Sequence, residues 1–128
     1  MRRLVYRKSR KIRGTEPERH KLHIAKGDTV RVIRGDDRGK EGKVLHVHPK
    51  MHRVTVEGVN VVKKHQRATT PETESGIIEF PAPISAANVM LLDPKSGEPT
   101  RVRRQRDKDG TIERIAVKSG QPIPRARQ

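Results

Sequence analysis

Apolar positions in this chain come in short, β-branched runs, each broken within a few residues by glycine, proline or charge. Thr29 to Ile33 (TVRVI) sets Val30 and Val32 on one face, and Lys43 to Val47 (KVLHV) is a second such run. Arg53 to Glu57 (RVTVE) alternates, with Val54 and Val56 on one face, and Val59 to Lys63 (VNVVK) is a fourth. Period-two patterning over so few residues predicts half-buried strands, not helices. The stretches between them, Gly35 to Gly42, Pro49 to His52 and Gly58, are rich in turn formers. Such short strands with few large side chains suggest a small barrel, which hides its edges by closing on itself. Further on, Arg101 to Arg106 and Thr111 to Lys118 flank Asp109-Gly110, a favoured hairpin turn. No helix of ordinary length and no convincing repeat is evident. The expected fold is all-β: a barrel core over 23–66, a basic N-terminal extension over 1–22, and a C-terminal extension over 67–128 with a loop, short strands and a basic hairpin.

Composition limits the core and points to a partner. Of 128 residues only 30% are hydrophobic and 35% are charged, with a formal net charge of +15. Residues 1–26 carry ten basic and two acidic side chains and residues 101–128 nine and three, whereas residues 66–100 carry two and five. Like charge at this density repels itself in a free globule, so an anionic partner is expected. A phosphate backbone fits best, because Lys and Arg contacts release its condensed counterions. A membrane surface fits poorly, since it calls for an amphipathic basic helix with large apolar residues, and the chain has one Phe, one Tyr and no Trp. No apolar run approaches the ~18 residues that a spanning helix needs. The start, MRRLVYRKSRKIRG, is basic like a signal peptide, yet neither an apolar stretch nor a small-residue cleavage site follows. An organellar transit sequence is the alternative for these residues. The absence of cysteine excludes disulfides and thiolate zinc sites.

The most informative stretch is KGDTVRVIRGDDRGKEGKV, from Lys26 to Val44. Gly27-Asp28 turns into the first strand, and Gly35, Gly39 and Gly42 let a basic loop turn tightly. This stretch resembles the KOW motif of ribosomal proteins and NusG-type transcription elongation factors, which implies an SH3-like barrel whose loops contact RNA or protein. VEGVNVVKKH (Val56 to His65), GIIEFPAPISAANVMLLDP (Gly76 to Pro94), RVRR and the final basic hairpin follow in an order similar to the uL24 family of bacterial large-subunit ribosomal proteins. The resemblance covers about residues 21–120. A NusG-type factor would need a larger α/β domain ahead of its KOW module, where only about 23 residues stand. Three features depart from the family pattern: the long Arg-rich leader, Ala86-Ala87-Asn88 where a small polar residue is usual before Asn-Val, and Asp36-Asp37 in a loop more often basic.

What the resemblance implies is a structural protein of the large subunit. It would bind ribosomal RNA directly near that RNA's 5′ end, act early in assembly, lie by the peptide exit tunnel, contact neighbouring ribosomal proteins and reside on cytoplasmic ribosomes. The competing reading is a KOW-type adaptor that binds a transcription or translation protein without stable RNA contact. Enzyme chemistry has no support. Gly39-Lys40-Glu41-Gly42 matches a KH loop, but strands flank it instead of helices. Gly35 to Glu41 is one residue short of a phosphate-binding P-loop and puts Glu41 where Ser or Thr would hold magnesium. His46-x-His48, with His52 nearby, has metal-like spacing but no evident third ligand, so surface histidines are the expectation. No cofactor, metal or small-molecule substrate is expected. With Tyr6 and Phe80 as the sole aromatic rings besides histidine, stacking on bases cannot dominate. Recognition should therefore rest on phosphate charge and RNA shape. The candidate RNA contacts are Arg2, Arg3, Arg7, Lys8, Arg10, Lys11 and Arg13 in the leader. In the barrel they are Lys26, Arg38, Lys40, Lys43, Lys50 and Arg53, then Lys63, Lys64 and His65 at a strand end. Arg101, Arg103 and Arg104 complete the set in the final hairpin. The Pro49 to His52 tip is expected to project from the barrel, towards the tunnel exit.

Overall fold

The computed structural model describes residues 18–68, 70–71 and 75–126. Apart from one 3-10 turn, every regular element among them is a strand. β1 (Thr29–Val32), β2 (Glu41–His48) and β3 (Arg53–Val56) form an antiparallel meander. β4 (Val61–Gln66) pairs with β5 (Gly76–Pro81) as a separate two-stranded ribbon. β6 (Ile84–Ser85) then adds to β3 and β7 (Val89–Leu91) to β1, giving a five-stranded order β6-β3-β2-β1-β7. The two outermost strands are consecutive in the chain, joined by the 3-10 turn Ala86–Asn88. That short joint draws the two edges towards each other and curls the sheet into a barrel, as expected from the sequence. Both closing strands come from beyond residue 66.

The core is built almost wholly of valine. Val30, Val32, Val44, Val54, Val56, Val59 and Val89 are buried with Ile24, Ala86 and Leu91. Compact β-branched side chains are stiff and fill a narrow barrel without large rings. Two expectations shift at the residue level. Val59 to Lys63 is not one strand: Gly58, at φ 71°, and Asn60, at φ 52°, form a turn, and the strand begins at Val61. Gly42 lies inside β2 instead of in the loop. A Cβ there would sit 2.5 Å from the Glu57 carbonyl oxygen and 2.8 Å from Val56 Cγ1, so close strand approach, not turning, requires glycine.

β8 (Val102–Arg106) and β9 (Ile112–Ala116) form the expected C-terminal hairpin, with Gly110 at φ 82° in its turn. A third strand, β10 (Pro122–Ile123), adds to β9. Val102 and Ile123 from this sheet pack against the barrel core. No helix among the described residues is long and apolar enough to cross a membrane.

Candidate nucleic-acid interface

The loop between β1 and β2 carries Gly35, Asp36, Asp37, Arg38, Gly39 and Lys40. Gly35, at φ 105°, and Gly39, at φ 89°, let it double back within a few residues, and Gly39 N–H donates to the Val32 carbonyl at 2.8 Å. Asp37 does not stand free at the tip. Its carboxylate accepts the Asn60 backbone N–H at 2.7 Å and the Lys40 ammonium at 2.6 Å. The Lys40 hydrogen bond, and then that of Asn60, hold its pKa below the ordinary carboxylate value. Asp37 thus latches the loop to the Gly58–Asn60 turn. Lys40 is drawn into that latch, which leaves Arg34 and Arg38 as exposed loop cations with no ion pair among the described residues.

Lys26 lies just before the turn into β1, and Lys43 sits opposite Thr29 on the outer face of β2. Both are exposed. Val44 and Val47 both face the core, although strict alternation would separate them. A β-bulge between Val44 and His46 shifts the register by one residue and reverses the faces beyond it. Without it, His46 and His48 would share the buried face of Val44. Instead they lie outward with ring centroids 6.4 Å apart, and the His48 ring nitrogen Nε2 is 3.2 Å from the Thr55 hydroxyl.

The β2–β3 tip runs from Pro49 to His52, with Lys50 and Met51 exposed and Arg53 exposed at the start of β3. His52 takes φ 54° and packs edge-to-face on His20, with centroids 5.2 Å apart. The His20 backbone N–H donates to the Pro49 carbonyl at 3.1 Å, so the segment before the barrel braces the tip. That brace has no local sequence signal, because the partners are some thirty positions apart. Among the described residues no group of three His, Asp or Glu is placed to hold a metal ion.

Lys63, Lys64 and His65 lie on β4, but not as one cluster. Successive strand residues point to opposite faces, so Lys63 and His65 share one side and Lys64 takes the other. Lys63 pairs with Glu79 across the ribbon at 3.6 Å. On the C-terminal sheet Arg101, Arg103 and Arg104 are exposed and make no ion pair among the described residues. The leader residues Arg2, Arg3, Arg7, Lys8, Arg10, Lys11 and Arg13 lie outside the described residues.

One arginine of the basic C-terminal stretch does something else. Arg114 on β9 is 3% exposed and faces Asp28, which is 5% exposed. Its guanidinium grips both carboxylate oxygens, with Nη2 to Oδ1 at 3.0 Å, and also donates to the His23 and Pro124 carbonyls at 3.0 and 3.1 Å. Only arginine offers this planar fork of donors. The pair clamps the C-terminal sheet to the turn that opens the barrel. Nearby, desolvation, then Arg104 and Arg114, push the His23 pKa down, with Asp28 opposing them.

Residues 26–57 match the model of the KOW motif, and residues 59–123 match that of the large ribosomal subunit protein uL24 C-terminal domain. Along 102 residues the chain is 57% identical to the large ribosomal subunit protein uL24 of Staphylococcus epidermidis, covering 80% of this chain and 96% of that protein. The same-named proteins of Staphylococcus saprophyticus and Staphylococcus aureus are 56% identical over equal coverage. The chain belongs to the uL24 family. The two matches meet at Gly58, in the turn that Asp37 holds through Asn60, so the latch joins the KOW motif to the C-terminal domain. The clamp joins them a second time, with Asp28 in one match and Arg114 in the other.

Proposed function

We propose that this protein is a structural, non-catalytic constituent of the large ribosomal subunit that binds its ribosomal RNA directly. The observation that carries this reading is identity over nearly the full length of relatives named as large ribosomal subunit proteins. The surface supports it. Lys26, Arg38, Lys43, Arg53, Lys64, Arg101, Arg103 and Arg104 are exposed and make no ion pair among the described residues. They come from the barrel, the β4–β5 ribbon and the C-terminal sheet, so phosphates of more than one RNA segment are neutralised around a rigid barrel. The leader brings seven more basic residues in its first 13, and Lys50 is exposed at the tip. Lys40 contributes less, being held by Asp37. The protein acts on cytoplasmic ribosomes, joins the subunit early, and places the Pro49–His52 tip beside the peptide exit tunnel.

Sedimentation of a lysate at low and moderate salt tests the reading. The chain should travel with the large subunit and stay there; recovery at the top of the gradient in moderate salt would refute it in favour of a protein-binding adaptor. A crosslinker at position 51 should reach tunnel-exit RNA or nascent chain, and consistent capture elsewhere would refute the placement of the tip.

A further inference from the structure

We propose that the cleft between the β1–β2 loop, the Gly58–Asn60 turn and the 3-10 turn receives one unpaired guanine of the bound RNA. The site rests on the ribosomal reading above, in which RNA is the ligand. It adds a base-specific contact to a surface otherwise suited to phosphates.

The cleft has a volume of about 190 Å³. Pockets for whole cofactors run to roughly 300–1,000 Å³, so this one suits a single base with its sugar and phosphate left outside. Val59 and Ile84 give it an aliphatic floor on which a ring can lie. Around that floor stand polar groups that the fold leaves unused. Asp36 is exposed, and its carboxylate has no hydrogen bond or ion pair among the described residues. The half-buried Asn88 has only its backbone carbonyl engaged, by the Ile33 N–H at 2.8 Å, and its side-chain amide has no partner among the described residues. Asn60 donates through Nδ2 to the Ala82 and Pro83 carbonyls at 3.4 and 3.5 Å, which leaves Oδ1 as a further acceptor. A cleft that holds unmatched donors and acceptors over an apolar floor is what a small polar ring completes.

The acid decides which ring. A carboxylate repels phosphate and accepts only from donors. Unpaired bases are read along their Watson–Crick edge. Guanine alone presents two neighbouring donors there, N1–H and the N2 amine. Adenine and cytosine set a ring-nitrogen acceptor beside their amine, and uracil sets a carbonyl on each side of its N3–H. Asp36 and Asn60 Oδ1 match the guanine donors, and the Asn88 amide matches O6. The two acids of the loop thus divide their roles: Asp37 pins Asn60 at the cleft, and Asp36 stays open to the ligand. Arg34 and Arg38, two positions before and after Asp36, are exposed without an ion pair among the described residues and suit the phosphates on either side of the base. One base on an aliphatic floor also needs no aromatic platform, in keeping with a chain almost free of such rings.

Kethoxal, which reacts with unpaired guanines at N1 and N2, tests the site on naked large-subunit ribosomal RNA saturated with the full chain. The native protein should protect a guanine that stays reactive under saturating Asp36→Asn. That variant should bind this RNA about tenfold more weakly, the worth of one paired base contact, while binding poly(U) more tightly. The sign is diagnostic, because the substitution raises the net charge and charge alone would tighten binding to both RNAs. Asn88→Ala should lose several-fold on the ribosomal RNA as well. Inosine at the protected position, which lacks the N2 amine, should weaken the native protein several-fold and Asp36→Asn little. Equal or tighter binding of Asp36→Asn to ribosomal RNA, or identical kethoxal patterns with the two proteins, would overturn the guanine site and leave the ribosomal reading standing. A native chain that binds ribosomal RNA no better than poly(U) would overturn both.

Discussion

Arg114 shows how little composition says about a single charge. It belongs to the basic C-terminal stretch, yet it is buried, with both terminal nitrogens bonded to Asp28 and to two carbonyls. Removing one member of such a pair strands a charge in the core, so Arg114→Ala should cost about 3–5 kcal/mol, read from a urea denaturation midpoint. Replacing both Asp28 and Arg114 by apolar residues of similar volume should recover most of that loss. Asp37 makes a pH-dependent contribution. Its folded pKa lies below the ordinary 3.8, so its stabilisation is complete above that value and disappears as pH falls through the folded value. The Asn60 amide resonance should shift over that acid range in the native protein, and Asp37→Asn should abolish the shift. His23 offers a probe of its surroundings: Arg104 lowers its pKa, so Arg104→Ala should raise it towards 6.5 in an NMR titration.

At the scale of elements, the strands of the meander were legible because their runs are short and β-branched and the β1–β2 loop carries glycine. What stayed hidden were features set by partners distant in sequence. The bulge after Val44 has no composition of its own; it exists because Val47 must return to the core. The split of Val59 to Lys63 follows from Asp37 gripping Asn60 across 23 positions. β10 is two residues long and forms only because β9 is there to pair with. The compact basic cluster read from Lys63-Lys64-His65 separates for a simpler reason, that a strand sends neighbours to opposite faces. Barrel closure makes its own prediction. Leu91 on β7 is 1% exposed and is the largest fully buried side chain, so Leu91→Ala should cost about 2–5 kcal/mol in chemical denaturation.

For the whole molecule, electrostatics and architecture are divided between regions. The exposed Arg101, Arg103 and Arg104 belong to the C-terminal stretch and not to the barrel strands. Arg101→Ala, Arg103→Ala and Arg104→Ala together should weaken RNA binding and flatten its salt dependence by close to one unit of slope per lost phosphate contact. Removing Arg2 to Arg13 should do likewise, and an unchanged slope in binding assays would mark the leader as a bystander. The clamp between Asp28 and Arg114 has a further consequence, in the order of synthesis. Its partners are 86 positions apart, so a growing chain holds the carboxylate long before the guanidinium exists. A product terminated early keeps a barrel whose opening turn carries an uncompensated charge, and it should be less stable and more readily degraded than the finished chain. Synthesis through β9 is thereby written into the durability of the barrel's opening turn, before any RNA is met.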